Sequence, residues 1–155
     1  MIDMEHNFSS LLKEHEELEG LFDKHQRALL MRDIAGATAT ISAFENSLRR
    51  HIAFEDEVLL PLYAAKRAET EGATLPIFHA EHRKLRDMVD NLTRQTGALY
   101  ESSDLLASIL KLLDEESLFK GLFSHHALRE KNLFFPRLDA CTTESERKKA
   151  LLGRL

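Results

Sequence analysis

The sequence predicts an all-α fold, an up-down-up-down four-helix bundle with a short C-terminal helix, and three observations predict it. Leu, Ala, Glu, Lys and Arg are abundant, whereas 155 residues hold only six Gly and three Pro, a balance that favours helices over sheets. Apolar residues recur in alternating steps of three and four along four long stretches. Finally, one arrangement occurs twice: His51 with Glu55 and Pro61, then His126 with Glu130 and Pro136, each proline ten residues after its histidine and preceded by an apolar run. The length suits a single domain over residues 1–155, with the bundle at about 9–138 and a tail at 139–155.

The first helix is expected to open near Ser9 or Ser10, either of which can cap, and to run to about Met31. Its inward stripe is Leu11, His15, Leu18, Phe22, His25 and Leu29. Asp33 is the expected cap of a second helix with the stripe Ile34, Ile41, Leu48, His51, Glu55 and Leu62, bent or ended near Pro61. Residues 68–76, with Gly72 and with Pro76 at a first-turn position, read as the loop that starts a third helix. That helix turns Phe78, His82, Leu85, Val89, Leu92, Thr96 and Leu99 inward. Ser102, Ser103 and Asp104 supply turn and cap chemistry for the fourth, whose stripe is Leu105, Ile109, Leu112, Glu116, Phe119, Phe123, His126, Glu130 and Leu133. Thr143 to Glu146 resembles a capping box and begins a short last helix, expected as a lid or a partly ordered tail.

The halves also repeat each other. Glu14-His15 and Leu18 in the first helix match Glu81-His82 and Leu85 in the third, so the order is lone His, His with Glu, lone His, His with Glu. On antiparallel neighbours, residues at one height are equally far from the turn between them. The midpoint of His15 and His51 is Asp33, and that of His82 and His126 is Asp104, the two residues already assigned to turns by their capping chemistry. At ~1.5 Å rise per residue, all four histidines then lie at one level, roughly 25 to 35 Å from those turns. Imidazole and carboxylate four apart share one helix face. Four imidazoles and two carboxylates in an apolar bundle are unfavourable to bury unpaired, whereas one or two cations satisfy them together. The expected arrangement gives each ion two histidines, with Glu55 and Glu130 between them and an oxygen species completing the core. Iron suits this donor set, and zinc or manganese is compatible with it.

Composition narrows the class of partner. A net charge of −5 without long like-charge runs offers no basic stripe for nucleic acid and no polybasic anchor for a membrane. The lone Cys141 can make no internal disulfide, and no apolar stretch reaches the length of a signal or spanning segment, so a reducing cytoplasm is the expectation.

These residues resemble the hemerythrin-like HHE cation-binding domains, through paired H-x-x-x-E motifs in bundle order. The resemblance covers about residues 9–138 and implies a non-haem di-iron centre, two ions with a bridging oxo or hydroxo group, ligated by His15, His51, Glu55, His82, His126 and Glu130. Ferritin-like carboxylate bundles use Glu-x-x-His pairs instead, and no histidine here has a glutamate three residues before it. The pattern departs from oxygen-carrying hemerythrins twice. Phe78 stands four residues before His82, where they have a further histidine, and Glu130 follows His126 at a shorter spacing than their aspartate. A dedicated oxygen carrier is therefore not implied; the ligand set is closer to bacterial proteins of the family that react with oxygen, peroxide or nitric oxide, some linked to repair of iron centres under stress. The repair activity is not carried over, because those proteins have a cysteine-containing N-terminal segment for which this chain has no room. His79 is an alternative fifth ligand, although the stripe turns Phe78 inward.

The expected function is binding of, or reaction with, a small oxidant such as O2, peroxide or NO, in a monomer or homodimer whose redox partner is unknown. The alternatives are a metal or redox sensor, an iron-handling module, and a metal-free helical interaction protein. Phe8, Leu11, Val58, Leu59, Phe78 and Leu133 are expected to form an apolar plug below the histidine level. His25 and Glu116, each ten residues nearer the turns, are expected to meet as a buried polar pair. His6 and His125, off the stripes, are expected at the surface.

Overall fold

The computed structural model describes residues 6–153; residues 1–5 and 154–155 of the expected domain lie outside the described residues. Among the described residues seven α-helices follow in order: α1 Leu12–Leu30, α2 Ile34–Phe54, α3 Leu60–Ala65, α4 Leu75–Ala98, α5 Leu105–Arg129, α6 Phe135–Cys141 and α7 Glu144–Leu152. The four long ones, α1, α2, α4 and α5, pack as an all-α bundle. Among the described residues there is no strand, only an isolated bridge between Thr70 and Ala73. Around the bundle the neighbours run α1, α2, α4, α5, and the seam that returns from α5 to α1 is the most sparsely packed.

Local chemistry sets the helix ends. The Asp33 side chain accepts from Gly36 N and that of Asp104 from Ala107 N, each satisfying a first-turn amide. Arg32, at φ 57, closes α1 in a left-handed turn, with Asp33 N bonding Ala28 O. At the first helix the expected caps are not used. A 3-10 turn, Phe8–Leu11, precedes α1 and is capped by Asn7, while the Ser9 hydroxyl donates to Asp139 instead. Asp139 also accepts from Phe8 N, so the N-terminal turn is tied to α6. The last helix opens in the capping box of Thr143 and Glu146 and is held rather than loose. Lys66 pairs with Glu146 at 2.6 Å, and Arg147 donates to the carbonyls of His6 and Thr142.

One feature departs from simple helical periodicity, and it occurs twice. Residues Glu55–Leu59 and Glu130–Phe134 are π-helical turns, in which Leu60 N bonds Glu55 O and Phe135 N bonds Glu130 O. Pro61 and Pro136 sit just beyond them, in the first turn of α3 and α6. A proline donates no amide and its ring collides with the carbonyl four residues back, so a wider turn ahead of it relieves the clash. The extra residue rotates everything downstream. Tyr63, not the expected Leu62, is therefore buried, and Phe134, not Leu133, whose side chain is exposed.

The apolar core lies in two clusters. The upper one joins Phe22, Ile41, Phe44, Leu48, Val89 and Phe119 toward the hairpin turns. The lower one joins Phe8, Leu59, Tyr63, Phe78, Phe134 and Leu138. Between them, in sequence and in space, lies a polar layer.

Candidate metal centre

The polar layer is made by the six residues singled out above. His15, His51, Glu55, His82, His126 and Glu130 are all buried, none more than 6 % exposed. Every imidazole turns Nε2 inward. His15 Nε2 lies 2.8 Å from Glu130 Oε1 and 3.3 Å from His51 Nε2. His51 Nε2 is 3.0 Å from Glu55 Oε1, and His82 Nε2 is 3.5 Å from the same oxygen. His126 Nε2 is 3.3 Å from Glu130 Oε1 and 4.0 Å from Glu55 Oε1. Two donor groups result, one of His15, His51 and Glu130, the other of Glu55, His82, His126 and Glu130. Glu130 is common to both.

The fit of such a centre to cations can be tested on its own atoms. Both oxygens of Glu55, Oε2 of Glu130, and Nε2 of His82 and of His126 are buried without a hydrogen-bond partner. Leaving a buried polar atom unsatisfied is unfavourable by roughly 1–3 kcal/mol, and five at one point are not accidental packing. Their lone pairs converge, which is what a bound cation requires. These His/Glu groups can hold a metal.

Outside this layer, carboxylates grip three of the four imidazoles. His51 Nδ1 donates to Glu14 at 2.7 Å, His82 Nδ1 to Asp56 at 2.6 Å and His126 Nδ1 to Glu81 at 3.1 Å. A carboxylate can only accept, so the proton is fixed on Nδ1. A neutral ring then presents its Nε2 lone pair to the centre, and its orientation and basicity are set from behind. Arg86 holds Asp56, and Arg129 holds Glu81 while its other arm reaches the carbonyl of Gly72. Gly72, at φ 78, occupies a conformation that favours glycine. The inward stripes do not reveal Glu14, Asp56 and Glu81, because they point sideways to the next helix. The repeat Glu14-His15 and Glu81-His82 was the available signal.

Without a cation the layer balances its charge with protons. Burial works against an imidazolium at His51, but the Glu55 charge and the Glu14 hydrogen bond lift it to about 9. Burial is likewise overcome at His82, lifted to about 9 by Asp56 and then Glu55. Burial, then the neighbouring His51 charge, pushes His15 down to about 4. Burial also lowers His126, despite Glu81. Glu55 is held below the usual carboxylate range, burial notwithstanding, by the charge and contact of His51 and the contact of His82.

The other sequence expectations divide. Phe78 is fully buried and His79 is exposed, 3.6 Å from Asp56 and outside the centre. The expected plug is real at Phe8, Leu11, Leu59 and Phe78, but Val58 is half-buried and Leu133 exposed, their places taken by Leu60, Phe134 and Phe135 beyond the π turns. His25 and Glu116 meet as expected, and His125 is exposed. Open cavities reach the margin of the layer on either side of α1. One of about 420 Å³ between α1 and α2 is bordered by Glu14 and His51, and one of about 250 Å³ between α1 and α5 by His15 and Lys131.

Fold and layer together define an all-α bundle with a buried histidine and glutamate centre suited to cations. Residues 3–63 match the family model of the hemerythrin HHE cation binding domain. That span holds α1, α2, His15, His51 and Glu55, so this part of the chain is hemerythrin-like by sequence, and the bundle agrees with it. No curated protein and no solved structure matches the chain. No helix among the described residues is long and apolar enough to cross a membrane.

Proposed function

We propose that the protein is a non-haem di-iron protein that binds or reacts with a small oxidant, O2, peroxide or NO. The observation that carries this reading is the convergence of orphaned, buried imidazole nitrogens and carboxylate oxygens on one point. His15 and His51 would hold one ion, His82 and His126 the other, with Glu130 and Glu55 between them. Iron bound there supplies electron transfer and open coordination positions for a small ligand.

The chain's own residues do the rest. Glu14, Asp56 and Glu81 fix the imidazole protons on Nδ1. The aromatic floor, with Phe78 and Phe134 at 4.6 Å, keeps water from one end of the centre, which favours small apolar ligands. Phe78, standing where oxygen carriers of this type have a histidine, favours reaction over storage. The single Cys141, unpaired, fits a reducing cytoplasm.

The test is anaerobic loading of the untagged protein with iron(II), counting metal per chain, then near-ultraviolet spectra on adding O2, peroxide or NO. Two irons per chain and a spectral response support the proposal. One tightly held zinc without any oxidant response overturns the redox reading in favour of metal handling. A stable protein that binds no metal leaves a helical interaction role.

A further inference from the structure

The carboxylates behind the imidazoles form successive steps around the bundle. Glu14 on α1 grips His51 on α2; Asp56, in the wide turn after α2, grips His82 on α4; Glu81 on α4 grips His126 on α5. A fourth step would run from the residue after Glu130 back to His15 on α1, as Asp56 follows Glu55. That residue is Lys131. Lys131 and His15 border the same cavity of about 250 Å³, together with Glu16 and Glu19, neither of which is hydrogen-bonded to the imidazole. Among the described residues, both hydrogen bonds of His15 are made by Nε2, so nothing accepts from its Nδ1. His15 is also the most exposed of the four imidazoles, at 6 %, in the loosest seam of the bundle.

A carboxylate behind a ligating imidazole fixes the ring and raises its basicity, and losing it weakens metal binding roughly 10–100-fold. Here the place of the carboxylate is taken by a lysine, which cannot accept from Nδ1, and the Glu16 and Glu19 carboxylates on the same cavity make no such bond in its stead. The six inward donors are nearly symmetric between the halves, but the supporting groups are not.

We propose that the two metal positions are built unequal. The His82 and His126 position, with both imidazoles gripped, fills first. The His15 and His51 position, with one imidazole gripped and Lys131 beside the other, fills second and empties first. This rests on the reading that the centre holds two ions.

The test is an anaerobic titration of the metal-free full chain with iron(II) in competition with a chromophoric chelator, read as dissociation constants. The wild type is expected to show two constants separated by about tenfold or more. Lys131→Asp is expected to tighten the weaker step about tenfold and leave the tighter one in place, with Lys131→Gln moving it less. Asp56→Asn is expected to weaken the tighter step instead. Position 131 is exposed, so the two Lys131 variants retain the fold, and melting curves of all three variants verify it. Two equal constants in the wild type, or a weaker step that Lys131→Asp does not move, overturn this inference alone. Absence of all iron(II) binding overturns the di-iron reading and this inference with it.

Discussion

His25 Nε2 lies 2.6 Å from Glu116 Oε2, and neither side chain is exposed. His25 Nδ1 is 2.8 Å from the carbonyl of Ala37, and Gln26 donates to the other Glu116 oxygen, so α1, α2 and α5 are tied in the middle of the upper core. Removing one member of a buried pair leaves the other without a partner, which typically destabilises by about 3 kcal/mol or more. Glu116→Ala is therefore expected to lower the melting temperature by roughly 10 °C in thermal denaturation. Iron content should not change, because ten helical residues place the pair about 15 Å from the centre. A parallel loss of metal would mean that the pair shapes the centre.

Phe78 is fully buried, its ring 4.6 Å from Phe134 and 6.4 Å from His126. Phe78→Ala opens a void there and is expected to destabilise by about 3–5 kcal/mol in denaturant unfolding. In iron-loaded protein, azide should bind faster, since the void adjoins an imidazole of the centre. An unchanged azide rate would assign Phe78 to packing alone and entry to the seam between α1 and α5.

For the metal-free protein the direction of the pH dependence follows from His51 and His82, both raised from 6.5 to about 9 in the fold. Their contribution to stability is fully present below pH 6.5 and is lost as pH rises to 9. His15, lowered to about 4, acts oppositely, so its contribution disappears as pH falls from 6.5 toward 4. Denaturation of the metal-free chain should thus show declining stability from near-neutral pH to pH 9. Metal binding should tighten over that same interval, because each cation must displace the imidazole protons, with about two released on full loading near neutral pH. Calorimetry in buffers of different ionisation enthalpy counts them.

Arg129 joins Glu81 to the carbonyl of Gly72, and thereby links the support of His126 to the loop between α3 and α4. Arg129→Ala removes charge-assisted hydrogen bonds with a typical contribution of about 2 kcal/mol. Limited proteolysis should then cut within residues 66–74 sooner than in the wild type. Equal cleavage rates would show that the loop is held by Tyr63, whose hydroxyl donates to Ala73 O.

The sequence made the bundle legible because its signals are local. Asp33 and Asp104 announce themselves as caps, and every residue of the α1 stripe is buried. The level of the four histidines followed from the same two caps. What periodicity missed lies below Glu55 and Glu130, where one i to i−5 bond shifts the buried face from Leu62 to Tyr63 and from Leu133 to Phe134. A 3.6-residue count has no means to register that single bond; only the prolines ten residues after each histidine hinted at it. The carboxylates behind the imidazoles were hidden for another reason. Glu14 and Glu81 look like ordinary half-exposed helix residues until the neighbouring helix is in place.

The wide turns after Glu55 and Glu130 have a mechanical consequence. Each interrupts the regular backbone ladder just below a glutamate of the centre, so one residue more or fewer in that turn would swing Tyr63 or Phe134 out of the floor while leaving Glu55 and Glu130 where they stand.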